Sequence, residues 1–297
     1  MAISSVRARV NGTWYTLTYN ATAGAYQATI TAPGATSRRQ TNGYYNVEIE
    51  ATNTAGTIAT TSGGTLAGLR LVVRETIAPV ITIVTPSAGA YVTNNKQPIS
   101  CNVVDETNGS GINLGTLTVK VDGVTIPHTT TAITNGYAVT ATPTTALTDG
   151  AHTVTVNVSD SDGNAAVQKS AAFTVDTVPP TLNITAPAVG FITNTAALTV
   201  QGTTNDSTSS PVTVAITLNG TAQSAVTVAS NGSFSKAVTL VEGANAIVIT
   251  ARDAAGKTSS VTRNVTLDTT VPRVVSASIA PNPANTGASV VISVVVT

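Results

Sequence analysis

Three short units recur along this chain in the same order, and a repeated pattern constrains an architecture before any single residue does. The first is a tight turn between apolar residues: Val10-Asn11-Gly12, Val121-Asp122-Gly123 and Leu218-Asn219-Gly220. Asn-Gly or Asp-Gly in that setting predicts a β-hairpin, because both turn residues must take positive φ. The second is a strand running into a turn: GYYNVEIEATNTAG from Gly43, GAHTVTVNVSDSDG from Gly150 and GANAIVITARDAAG from Gly243. Within it Tyr45/Val47/Ile49/Ala51, His152/Val154/Val156/Val158 and Asn245/Ile247/Ile249/Ala251 fall at every second position. That period belongs to a half-buried antiparallel strand. The third is a linker, Glu75-Thr76-Ile77-Ala78-Pro79, echoed at Asp176-Thr177-Val178-Pro179-Pro180 and Asp268-Thr269-Thr270-Val271-Pro272.

From Pro79 the order is VITIV, ISCNVV, the Val121 hairpin, the Gly150 strand and FTVD; from Pro180 it is LNIT, LTVQG, the Leu218 hairpin, the Gly243 strand and VTLD. The opening segment begins at its hairpin (SVRARVNGTWYTLTY) and runs to LRLVVRE, without room for two earlier strands. The last segment carries two strands, VVSASIAPNP and SVVISVVVT. The expected layout is a partial domain over 1–76, complete domains over 77–177 and 178–269, and a two-strand hairpin over 270–297. Repeats of this length with turn signals every 8–12 residues suit seven-strand sandwiches.

Composition agrees. Thr and Val abound, as β-branched strand preference requires. Charged residues make up 9% with a net charge of zero, which leaves no electrostatic footprint for nucleic acid or an anionic membrane. No apolar run approaches a membrane span, and MAISSVRARV lacks the apolar core of a secretory signal. Cys101 is the single cysteine, so a buried thiol is expected and the sandwiches must be held by apolar packing.

DTVPPTLNITAP, LTDGAHTVTVNVSDSDGNAA and LVEGANAIVITARDAAGK resemble bacterial immunoglobulin-like repeats. VNGTWYTLTYNATAGAYQATITAP and SIAPNPANTGASVVISVVV resemble such modules in tailed-phage tail and baseplate-region proteins. The resemblance implies an all-β fold of tandem immunoglobulin-like sandwiches, a binding or architectural role without catalysis, and a virion component that reaches the exterior by host lysis.

The two partial ends predict an assembly. An open half sandwich exposes an apolar face and unpaired edges. Residues 272–297 of one molecule are therefore expected to complete the 5–75 half sandwich of a neighbour, through Val6, Ala8 and Val10 on one side and Val274, Ile279, Val290, Ile292, Val294 and Val296 on the other. Val274, Ser276 and Ser278 are expected to alternate along the same face. Such a head-to-tail contact builds rings or filaments, unless the hairpin folds back to close on the first domain of its own chain. The partners would be further copies or other virion proteins. The competing reading is a cell-surface or carbohydrate-binding adhesin module using Trp14, Tyr15, Tyr19 or Tyr44, although aromatics within strands more often fill cores.

Catalytic chemistry finds no support: no Ser, Thr or Cys is accompanied by a base and an orienting acid. No cofactor or metal is assigned. His152 aligns with Tyr45 and Asn245 two residues after a glycine, and a polar side chain there is expected to hydrogen-bond back across a corner. His128 is expected on a solvated edge. Glu75, Asp105, Glu106, Asp160 and Asp162 should gather at one pole beside the first linker, either as turn residues or as oxygen ligands for calcium. Asn-x-Ser/Thr triplets such as Asn11-Gly12-Thr13 are ascribed to turns running into Thr-rich strands.

Overall fold

The computed structural model describes residues 2–297. Helical structure among them is limited to single 3-10 turns at Ser37–Arg39 and Ala67–Leu69. All three expected hairpin turns form with left-handed backbone: φ is 47° and 84° at Asn11 and Gly12, 49° and 81° at Asp122 and Gly123, and 49° and 82° at Asn219 and Gly220. Those pairs of angles suit the right-handed twist of the flanking strands. The chain divides into two compact units, 1–177 and 178–297.

The first unit begins with one antiparallel sheet, ordered Ala25–Gln27, Thr13–Asn20, Ile3–Val10, Tyr45–Asn53 and Ile58–Ser62, with Arg70–Leu71 also paired to Tyr45–Asn53. Of its large apolar side chains, only Val6, Val10 and Tyr45 are buried. A two-layer sandwich follows. One layer runs His128–Ile133, Gly136–Ala141, Ile99–Val104, Val80–Thr85; the other runs Val124–Thr125, Ile112–Val121, Gly150–Asp160, Lys169–Val175, Ala90–Val92. The last pair is parallel, so the chain changes layer after its first strand. Between the layers Ile99, Val103, Val119, Val139, Val154, Val156, Phe173 and Val175 are almost wholly buried. This closed core is the product of the period-two pattern, since alternate residues of Gly150–Asp160 all point inward.

The second unit repeats the plan. Thr181–Ala186, Ala197–Asn205 and Ser233–Thr239 face a sheet ordered Phe191–Thr193, Thr258–Leu267, Gly243–Arg252, Thr213–Leu218, Thr221–Ala222. Its core is built on Val200, Ile216, Ile247, Ile249, Phe234 and Val265. Beyond it, Val274–Ala280 and Val291–Val296 form a two-stranded sheet, every residue of which is exposed.

Two expectations need correction. A register shift between Val274 and Ser276 places Val274, Ala277 and Ile279 opposite Val296, Val294 and Ile292, whereas Ser276 and Ser278 pair with Val295 and Ser293 on the other face. The hairpin has one wholly apolar face, onto which the shift brings Val274, parting it from Ser276 and Ser278. Trp14 and Tyr19 do not fill a core: they are 38% and 55% exposed, Trp14 because it pairs with Arg9 on the polar face of its sheet, and Tyr19 because the sheet has a single layer.

Candidate functional site

The first sheet has two unlike faces, fixed by cross-strand register. Val6, Leu17 and Ala51 align across three strands, as do Ala8, Tyr15 and Ile49, and Val10, Thr13 and Val47. This apolar face carries an open cleft of about 340 Å³ lined by Ala8, Tyr15, Leu17, Ile30, Leu71 and Val72. On the reverse face Arg7 pairs with Glu50 at 2.7 Å and Arg9 with Glu48 at 3.4 Å. The Arg7 guanidinium lies 4.4 Å from the centre of the Trp14 ring, a cation–π arrangement.

Of the residues expected to mediate assembly, Val6, Ala8 and Val10 lie on the apolar face of this sheet. Val274, Ile279, Ile292, Val294 and Val296 share the apolar face of the terminal hairpin. Val290 precedes the second hairpin strand and is 43% exposed.

His152 is buried at the corner of its sandwich. Its Nε2 lies 2.8 Å from the Thr148 carbonyl and its Nδ1 lies 2.6 Å from Asp122 Oδ2. Burial by itself would lower the imidazole pKa, but Asp122 and the Thr148 carbonyl outweigh it and hold the group above its ordinary value. The equivalent corner of the second unit is neutral: Asn245 Nδ2 donates to the Val241 carbonyl at 2.7 Å, and Asn219 Nδ2 donates to Asn245 Oδ1 at 3.1 Å. In the first sheet the Tyr45 hydroxyl donates to the Ala35 carbonyl at 2.9 Å. Three different side chains thus close one kind of corner. His128 lies in an edge strand and is half-buried. Cys101 is a buried free thiol whose pKa burial raises to about 11.

The pole beside the first linker divides its five carboxylates between two tasks. Asp160 Oδ1 accepts the Gly163 and Asn164 N–H groups at 2.6 and 2.8 Å, and Asn164 Nδ2 donates to its Oδ2 at 2.6 Å, which is turn chemistry. Asp162 accepts the Thr36 hydroxyl at 2.7 Å, the Glu75 N–H at 3.2 Å and Arg38 Nε at 3.1 Å. Burial would raise this carboxyl, yet those three donors together hold it below the usual carboxylate range. Glu75, Asp105 and Glu106 form the other group, with an oxygen of each within 4.8 Å of the others. Burial, then the neighbouring Glu75 and Asp105, pushes Glu106 up to about 7.

The turn at 36–39, which docks the first sheet on this pole, escaped the sequence reading. Besides the Asp162 contacts, Arg39 Nε donates to the Gly109 carbonyl at 3.0 Å and the Ser37 N–H donates to the Val73 carbonyl at 2.8 Å. The only local signal is Thr-Ser-Arg-Arg, a capping residue ahead of two cations.

Residues 87–177 match the family model described as "Bacterial Ig-like domain", and residues 180–269 match "Glucodextranase, domain B". No curated protein matches the chain. Among solved structures, the fibronectin(III)-like modules of Clostridium thermocellum CbhA are similar at 20% identity and a TM-score of 0.39, covering 64% of this chain and 94% of theirs. A structure of a 1.5-MDa bacterial ice-binding adhesin shares 20% identity at a TM-score of 0.33, over 90% of this chain and 88% of that one. Sidekick-1 immunoglobulin domains 1–5 share 13% identity at 0.38, over 92% and 55%. The matched modules are accessory domains rather than catalytic ones, and none speaks for a phage tail. By its strand order, its repeated closed cores and its family matches, this chain is an all-β tandem of immunoglobulin-like sandwich modules.

Proposed function

We propose that the chain is a non-enzymatic structural and adhesive segment of a bacterial surface or extracellular protein, whose copies join by strand complementation. In this joint the hairpin spanning 274–296 of one copy covers the apolar face of the first sheet of another. One contrast carries the reading: two modules close their apolar faces into cores, whereas the first sheet and the hairpin each leave one open. The hairpin suits the place because it corresponds in repeat order to Val80–Thr85 and Ile99–Val104, which cover the Gly150–Asp160 sheet in the complete sandwich. Apolar side chains packed face to face supply affinity in such a joint, and the alternating Val and Ile side chains set its register. The family matches lie with bacterial immunoglobulin-like modules, so a surface setting is preferred to a virion tail.

Sedimentation of the intact chain across a wide concentration range tests this. Association is expected in the parent chain and its loss in the Ile292→Lys/Val294→Lys double variant, whose substitutions lie outside both sandwich cores. A parent chain that stays monomeric at the highest concentration refutes the joint.

A glycan-contact role has one favouring observation, the groove beside exposed Trp14 lined by Glu48, Glu50, Thr60 and Ser62. Aromatic rings and carboxylates side by side suit sugar rings, although Arg7 already covers one ring face. Binding on a glycan array that disappears with Trp14→Ala would favour this role.

A further inference from the structure

We infer that the edge formed by Ala25–Gln27 and continued by residues 28–32 is a strand-acceptor site, whose main chain pairs with Val291–Val296 of a second copy. The inference rests on the strand-complementation reading and adds to its face-to-face contact a backbone ladder with a register.

The acceptor has the pattern of a strand but lacks a partner. Ala25–Gln27 is the outermost strand of its sheet, with Thr13–Asn20 as its one neighbour. Residues 28–32 continue it outside any ladder, and among the described residues their main chain makes no hydrogen bond. Their side chains alternate all the same: Ala28 and Ile30 line the apolar cleft, whereas Thr29 and Thr31 are exposed. Period two along an unpaired edge is the form of chain that takes up another strand.

The complete sandwiches show which strand belongs there. At equal distances beyond the hairpin glycines Gly12, Gly123 and Gly220, Ala28 and Ile30 correspond to Val139 and Ala141 and to Lys236 and Val238. Those residues lie in Gly136–Ala141 and Ser233–Thr239, which pair antiparallel with Ile99–Val104 and Ala197–Asn205. At equal distances beyond the linker prolines Pro79, Pro180 and Pro272, Ile99 and Val200 correspond to Ile292. Val291–Val296 is thus the counterpart of both partner strands. Among the described residues it pairs only with Val274–Ala280, so its other edge is free. Donor and acceptor edges lie in different compact units, and each copy carries one of each.

The direction of the main-chain groups agrees. The Asn135 and Gly232 carbonyls accept the Asp105 and Thr204 N–H groups across the two complete pairs, at 2.8 and 2.9 Å. Main-chain groups alternate sides along an antiparallel strand, which aims those of Val139, Ala141, Lys236 and Val238 at the same partners. By correspondence, the N–H groups of Ala28 and Ile30 face the incoming strand. Thr140 stands opposite Ser100, and Ser235 opposite Gln201. Carried to the joint, these registers set Thr29 or Gln27 opposite Ser293.

The test is disulfide formation in the intact chain under oxidised glutathione, with residue-resolved amide exchange of the parent chain in its dilute and associated forms. Covalent oligomers are expected from Thr29→Cys/Ser293→Cys or Gln27→Cys/Ser293→Cys, about tenfold faster than from Thr16→Cys/Ser293→Cys, whose first site pairs with Arg7 on the polar face. On association, exchange at Ala28 and Ile30 should slow about tenfold or more. If the parent associates in sedimentation while neither pair crosslinks and neither amide is protected, the edge is overturned and face-to-face joining stands. A parent that stays monomeric overturns both. A disulfide closed within one chain overturns the second copy as donor. Exchange in the unsubstituted chain decides the matter even where a variant folds poorly.

Discussion

His152 and Asn245 occupy the same corner in successive sandwiches, one in a charged pair and the other in a neutral one. The sign of the pH dependence follows from the shifts. His152 is held above its ordinary value, so its contribution is complete below about pH 6.5 and fades as pH rises through the raised value. For Asp122, burial opposes and His152 with the Thr153 N–H favours a lowered pKa; its contribution is present above about pH 3.9 and fades as pH falls through the lowered value. The Asp122 side chain is 47% exposed, so the effect is modest. Raising the pH from about 6 to about 9 should lower the melting temperature of the parent first unit more than that of Asp122→Asn/His152→Asn, which copies the neutral corner. Equal slopes in thermal melts would remove the pair from the account. A thiol with a pKa near 11 under Ile99 and Val139 should resist alkylation until the sandwich opens; labelling of Cys101 at native rates would contradict its burial. The alignment of Tyr45, His152 and Asn245 made the corner visible in the sequence, because a polar residue at an inward position needs a partner. The partners themselves were not legible: Thr148, Val241 and Ala35 contribute carbonyl oxygens, which any residue type supplies.

Strands were the most legible elements, because alternation and Asn-Gly turns each report a local backbone state. The register shift in the terminal hairpin was not, since its sequence alternates acceptably in two registers and only backbone pairing chooses between them. The 36–39 turn was invisible for the opposite reason: its contacts with Asp162 and Gly109 span long stretches of sequence. Two predictions follow from the strands. Phe173→Ala should destabilise the first unit by about 3–5 kcal/mol in denaturant titrations, while Ile292→Ala on the bare hairpin should leave both units unchanged at low concentration. A comparable loss from both would mean that the hairpin is packed. Gly136 should also resist substitution, since its missing Cβ leaves room for the Val103 carbonyl across the strand pair. Gly136→Ala is expected to cost about 1–3 kcal/mol, and a neutral result would show that the strand edge can move aside.

Across the whole chain, the two complete sandwiches carry separate apolar clusters and should melt as separable transitions. Phe173→Ala should move one transition and Phe234→Ala the other in calorimetry; a single transition displaced by both would show that the cores are coupled. The repeat made this division readable from the sequence, whereas the sharing of carboxylates at the first joint needed coordinates. In each sandwich, a short strand near the incoming linker pairs in parallel with the strand that leads out: Ala90–Val92 with Lys169–Val175, and Phe191–Thr193 with Thr258–Leu267. Tension drawn between the linkers therefore loads those rungs together, in shear, instead of opening them one after another. Stretched singly, each sandwich should yield in one abrupt rupture, as a tether under load would need; a gradual lengthening would show that the parallel pair does not bear the pull.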